Sequence, residues 1–307
     1  EKIHQNNKHI NLKFETIKFK IDIKNISLFL ETNDPNINYR GAKIPTQNIK
    51  VYVNFLSIFG SEPKIEKINF ILEQVNFEEF KKISLSFKPS NLKSFINNKI
   101  KKGFLNSEIE IYFNDKNILK NFIAKGTVSN LETEIINNIN FGTSNFNFFA
   151  DRSDILITNF SSNEKFLKIE EGDLKIKLSP ELSLESNFTA KLNYKNFSKS
   201  FKDLFEKYEF KNTISELKAD LNNNLFISFD KTYKLKEYEL SSKGQIITAS
   251  MDFKNPIEND FFRDKINRIS LKSAQIDSNI NTKKKKFNIS GKYSVNQGKD
   301  LSLKLVS

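Results

Sequence analysis

Cysteine and tryptophan are missing altogether, histidine occurs twice, and glycine and proline number nine and six in 307 residues. Without cysteine there is no disulfide, no thiolate metal site and no cysteine nucleophile. The two histidines, His4 and His9, share no strand face and have no acid cluster beside them. No glycine-rich phosphate loop, G-x-S-x-G or H-E-x-x-H pattern occurs. The acid pairs Glu78-Glu79 and Glu170-Glu171 sit among lysines, and adjacent strand residues point to opposite faces. They read as solvated surface, not as an acid–base dyad. Together these absences predict a chain that is not an enzyme, with no cofactor and no metal.

Long apolar runs are missing too. The longest resemble Phe70-Ile71-Leu72 and Leu28-Phe29-Leu30, against the roughly 20 residues of a membrane-spanning helix. The mean hydropathy is −0.50 although 38% of residues are hydrophobic. The opening Glu1-Lys2-Ile3 carries neither initiator methionine nor signal-peptide core, so the sequence reads as a piece of a longer protein, with any export signal or anchor upstream. The net charge of +12 comes with only four arginines, Arg40, Arg152, Arg263 and Arg268. Arginine is the residue that grips phosphates and bases bidentately, so no nucleic-acid partner is expected. The lysines are interleaved with acids along a solvated surface; Lys283 to Lys286 read as a loop tip, and attraction to anionic headgroups is a second use for them.

What is present in quantity is alternation. Ile17, Phe19, Ile21 and Ile23 alternate with polar residues, as do Ile49, Val51, Val53 and Phe55. The pattern returns at Ile68-Phe70-Leu72, Ile83-Leu85-Phe87 and Ile109-Ile111-Phe113, at 174–178, 188–194 and 225–229, and at Leu301-Leu303-Leu305. Period two gives each strand one apolar and one wet face, whereas the buried strands of a doubly wound fold read as continuous apolar runs. The fold class is mainly β, a long curved antiparallel sheet with two or three short helices. Residues 90–102 (SNLKSFINNKIKK) predict one helix, with Ser90 as N-cap and Gly103 as C-cap. Residues 196–208 (NFSKSFKDLFEKY) predict a second, and 259–267 a weaker third. Two segments of one continuous sheet follow, 1–195 and 196–307.

An internal repeat runs through this pattern. Residues 109–128 (IEIYFNDKNILKNFIAKGTV) align with 225–246 (LFISFDKTYKLKEYELSSKGQI), pairing Phe113 with Phe229, Asn114 with Asp230, Leu119 with Leu235 and Phe122 with Tyr238. The closing glycines, Gly126 and Gly244, are displaced by two residues, and residues 286–291 begin a third copy. The unit is a helix followed by antiparallel strands joined at an Asn/Asp turn.

The apolar faces have two uses. Paired sheets would bury them as a dry sandwich core, the architecture of a structural or adhesive surface protein; a transmembrane barrel is a further reading, opposed by lysine-rich outer faces. But about 15 to 18 strands at about 4.8 Å spacing make a sheet roughly 70 to 85 Å long, and such sheets curl, split or flatten. Curled, the inner faces line a trough for a lipid. A 16-carbon chain exposed to water costs on the order of 13 kcal/mol, at about 0.8 kcal/mol per methylene. The expected lipid-binding residues are Ile49, Val51, Val53, Phe55, Ile68, Phe70, Leu72, Ile83, Leu85, Phe87, Ile109, Ile111 and Phe113.

Residues 43–80 (KIPTQNIKVYVNFLSIFGSEPKIEKINFILEQVNFEEF) also resemble the AsmA-like superfamily, in which a strand leads through a short apolar link ending in glycine to an "x-Ile-x-x-Ile" strand. Asn54 to Gly60 and Ile65-Glu66-Lys67-Ile68 occupy those places. Residues 103–134 (GFLNSEIEIYFNDKNILKNFIAKGTVSNLETE) are similar to repeats of its YhdP and TamB branches. The resemblance implies a periplasmic groove-shaped β protein of Gram-negative bacteria, anchored in the inner membrane outside this segment. It further implies phospholipid acyl chains as cargo, carried toward the outer membrane, and envelope proteins as further partners.

Overall fold

The computed structural model describes residues 10–22, 27–54, 57, 64–86, 91–114, 116, 118–136, 139–164, 166–193, 212–232, 234–258 and 264–307. The first strands are β1 (Ile10–Lys13), β2 (Lys18–Asp22), β3 (Ser27–Asn33), β4 (Asn36–Tyr39), β5 (Ala42–Ile44), β6 (Thr46–Val53), β7 (Ile65–Leu72) and β8 (Val75–Asn76). Two helices follow, α1 (Phe77–Leu85) and α2 (Asn91–Lys99). Longer strands come next: β9 (Ile100–Phe113), β10 (Leu119–Ile136), β11 (Ile139–Ala150), β12 (Asp154–Asn163), β13 (Leu167–Lys177) and β14 (Ser183–Asn193). The last are β15 (Asn212–Phe229), β16 (Leu235–Ile257), β17 (Ile266–Asn281), β18 (Lys285–Val295) and β19 (Leu301–Val306).

The fold is mainly β. Sixteen strands form one antiparallel sheet in the order β19 to β9 without a crossover, then β7, β6, β3 and β2, with β8 pairing beside β9; β1, β4 and β5 form a separate three-stranded sheet. The sheet is not closed into a barrel, since its path ends at β19 and at β2. From β9 onward each strand pairs with its successor, as the short connections between most of these alternating segments favour; β14 and β15 pair although residues 194–211 lie between them. By contacts the chain divides into two units, residues 1–134 with 145–156, and 135–144 with 157–307.

In the first unit the buried cluster is Phe77, Ile100, Leu105, Val128 and Leu131, with Phe80, Ile96, Phe146 and Phe148 against it. Helix α1 supplies Phe77 and Phe80, whose rings meet edge-on at 5.8 Å. Gly103 makes room for this contact: a Cβ there would press on the Phe77 ring and on Leu131, and its φ of +143° also favours glycine. In the second unit the cluster is Ala219, Ile246 and Ala274, flanked by Leu192, Leu217, Leu221, Ala249, Ile276 and Ile289. These residues sit opposite one another on successive strands: Leu192, Ala219, Ile246 and Ala274 are consecutive register partners across β14 to β17. Flanking aliphatic chains leave the two small alanines 1% and 0% exposed.

Several sequence expectations are corrected. Ile83 and Leu85 stand on α1, not on a strand, and so do Glu78 and Glu79. Asn76 caps this helix, its side chain accepting from the Glu79 amide, with both glutamates in the first turn, where the helix dipole favours them. The predicted helix over 90–102 is shorter, because Ile100 already begins β9, and Gly103 is a strand residue instead of a C-cap. Of the third predicted helix, Ile266 and Asn267 belong to β17; residues 259–263, like the whole of 196–208, lie outside the described residues. So do Phe55, Phe87, Ser90, His4 and His9.

Candidate functional site: an apolar face built by register

The first unit aligns its alternating strands so that apolar residues meet apolar residues. Phe19 and Ile21 of β2 oppose Leu30 and Leu28 of β3. These in turn oppose Val51 and Val53 of β6. Ile49 and Val51 oppose Phe70 and Ile68 of β7. Phe70 and Ile68 oppose Ile109 and Ile111 of β9, which oppose Ala124 and Phe122 of β10. Directly opposed residues share a face, so one apolar face continues over six strands. Leu72 and Phe113 extend it at the strand ends, opposite Thr46 and Leu119.

The expected residues Ile49, Val51, Val53, Ile68, Phe70, Leu72, Ile109, Ile111 and Phe113 therefore belong to one surface. Ile83 and Leu85 do not, being helical, with Leu85 65% exposed. Leu28, Leu30, Phe122 and Ala124 also belong to the face but were not expected there. Leu28-Phe29-Leu30 reads in sequence as a short apolar run, yet its two leucines face one way and Phe29 the other. Ile49 and Leu28 are buried, whereas Val51, Val53, Ile68, Phe70, Ile109 and Ile111 all keep partial exposure and Leu30 is exposed. The buried cluster of this unit lies further along β9 and β10, at Leu105 and Val128, where α1 packs. Thus the helix covers one end of the ladder.

The reverse face is a lattice of charges and aromatic rings. Glu31 pairs with Lys20 and with Lys50 at 3.7 Å, and accepts from Asn48 at 3.2 Å. Lys67 meets Glu110 at 3.4 Å, and Lys125 meets Glu108 at 3.1 Å. Lys50 lies over the Phe29 ring and Lys67 over the Tyr52 ring, while Phe29 and Tyr52 contact each other at 5.2 Å between centroids. The hydrogen bond from Lys20 holds the Glu31 carboxyl below its ordinary range despite burial. Burial opposes ionisation of Glu108, but Asn69 and Lys125 outweigh it and lower its pKa. Burial and the bond donated to Glu110 push the Tyr112 phenol up to about 12. These contacts tie neighbouring strands together from behind, so the sheet does not depend on the apolar face alone for cohesion.

The second unit has the same two-sidedness. Ile169, Ala190, Leu221, Gly244, Ile276, Ile289 and Leu305 are successive register partners from β13 to β19. One row on that face is polar and buried, Asn223, Ser242 and Ser278, with Ser242 Oγ donating to Asn223 Oδ1 at 2.7 Å. Among the described residues no group of three or more histidine, aspartate and glutamate side chains is placed to hold a metal, and no helix is long and apolar enough to cross a membrane.

The chain matches no family model, and no curated protein and no solved structure is similar to it. The AsmA-like resemblance rests on the sequence patterns alone.

Proposed function

We propose that the chain is a non-enzymatic lipid-carrying protein of the cell envelope, whose apolar face shelters phospholipid acyl chains while headgroups stay in water. The observation that carries this reading is the register-matched apolar ladder from β2 to β10, whose central side chains remain partly exposed. An extended apolar surface in contact with water needs a ligand, a partner or a membrane. A hydrocarbon chain suits this one because the ladder offers methyl and ring surface with little polar specificity. No residue of the reading needs to perform bond chemistry. Within it, the AsmA-like patterns support a periplasmic location, an anchor outside this segment and transport between inner and outer membrane.

Mass spectrometry of organic extracts of the purified protein tests the proposal. Phospholipid should co-purify, and Val53→Asp with Phe70→Asp should abolish it while circular dichroism stays that of a β protein. Loss of the β signal in the variant would place both side chains in a closed core and favour a scaffold or adhesive role.

A further inference from the structure

We propose that one end of the second unit, where the β15–β16 and β17–β18 turns stand side by side, docks on an anionic phospholipid bilayer. Strands β16 and β17 are neighbours, with Glu239 opposite Asn281. The turn over 282–284 follows Asn281, and Leu235 precedes Glu239 on β16, so the 230–234 turn projects past its neighbour. Asn281 shapes the β17–β18 turn. Its Oδ1 accepts from the amides of Lys283 and Lys284, both at 2.9 Å, and its own amide donates to the Lys284 carbonyl. The lysines thus give the turn only backbone groups. Lys283, Lys284, Lys285 and Lys286 are all exposed, as are Lys231 and Lys234 on the neighbouring turn.

Charge is concentrated here. Over residues 230–239 and 281–286, seven lysines stand against three acids, Asp230, Glu237 and Glu239. Lys236 pairs with Glu181 at 2.7 Å; the other six make no ion pair among the described residues. Asp230 is engaged by the amides of its own turn, and Glu239 accepts from Asn279 at 2.6 Å. The far end of the same strands differs. There residues 252–258, 264–268 and 296–300 carry four basic and four acidic side chains. Lys265 pairs with Glu258 at 2.6 Å, and Arg268 with Asp252 at 3.5 Å. The cationic surplus therefore belongs to one end.

Two features favour a bilayer over a nucleic acid. The cluster contains no arginine, the residue that grips phosphates bidentately, whereas lysines suffice to attract an anionic headgroup layer. Leu235, between Lys234 and Lys236, is 56% exposed, and an apolar side chain flanked by lysines suits the boundary of headgroups and acyl chains. Each lysine at such a surface is worth about fivefold in affinity. This docking surface stands apart from the apolar ladder of the first unit, and neither requires the other.

The sequence has no tryptophan, so Leu235→Trp in the full chain places a sole reporter at the site. Mixed phosphatidylglycerol and phosphatidylcholine vesicles should shift its emission to the blue, and pure phosphatidylcholine should not. Leu301→Trp, at the far end and 51% exposed, should not respond. With the Leu235→Trp reporter, Lys283→Gln together with Lys284→Gln should weaken binding about 25-fold. Lys254→Gln with Lys299→Gln removes the same charge from the balanced end and should leave binding within about twofold. No shift with anionic vesicles overturns the proposal, as does an equal shift at both tryptophans or with pure phosphatidylcholine. Equal weakening by the two double variants overturns it too, since net charge alone then drives binding. Single-stranded RNA bound through Lys283 and Lys284, with vesicles leaving the tryptophan unmoved, would assign this end to a nucleic acid instead.

Discussion

At the scale of single residues, the polar lattice behind the sheet is the most legible source of stability. Glu31 is 8% exposed and serves Lys20, Lys50 and Asn48 together. Its folded pKa is depressed, so its stabilisation is fully present above the unfolded carboxylate value, about 4.3. That stabilisation disappears as the pH falls through the folded value. Glu31→Gln should lower stability at pH 7 by about 1 kcal/mol, the worth of charge-assisted hydrogen bonds discounted for half-exposed lysines. Urea denaturation should find parent and variant separated at pH 7 and converging as the pH falls below the ordinary carboxylate range. A gap that persists in acid would mean that the carboxylate charge is not what holds these strands.

Among elements, the two hairpins aligned in sequence turn out to share their turn chemistry. Asn114 Oδ1 accepts from the amides of Lys116 and Ile118, at 3.0 and 2.9 Å. Asp230 Oδ1 accepts from those of Thr232 and Lys234, at 2.7 and 3.1 Å. Each turn is closed by the amide of its Asn or Asp donating to the carbonyl four residues on. The closing glycines are likewise alike: a Cβ at Gly126 would strike the Asn106 carbonyl, and one at Gly244 the Asp220 carbonyl. Both mark places where paired backbones approach too closely for a side chain. Gly126→Ala and Gly244→Ala should therefore each destabilise by about 2 kcal/mol or more, measurable as a lower denaturation midpoint. Unchanged midpoints would show that the strands relax apart freely.

The strands and their facing residues were legible because a period of two leaves few registers once one side must be apolar. Helix α1 was not. The sequence Ile83-Ser84-Leu85-Ser86-Phe87, which begins in its last turn, alternates as a strand does, and that local pattern masked a stronger one. Asn76 with Glu79 three residues on is a helix start, and Phe77, Phe80 and Ser84 then recur at helical spacing. Gly103 misled in the other direction. It follows a helical pattern as a C-cap would, yet its reason is the Phe77 ring, which comes from an element 18 or more residues earlier. Contacts of that range leave no trace in a local reading. Leu28 and Leu30 were missed for a simpler cause: with Phe29 between them, the polar face looked apolar.

For the molecule as a whole, the account turns on whether the ladder of β2, β3, β6, β7, β9 and β10 is open to a guest. Two-sided strands with a self-supporting polar lattice behind can leave their apolar side for something other than the chain itself. The absence of cysteine from the sequence makes a direct test simple, since any thiol introduced is the sole reactive one. Val51→Cys, Ile68→Cys and Phe70→Cys should each react readily with a small maleimide in delipidated protein. Addition of phospholipid should slow that reaction at least tenfold, with no such protection at Lys175→Cys on the polar face of β13. Thiols that stay unreactive without lipid, or react equally fast with it, would contradict an open acyl-binding face.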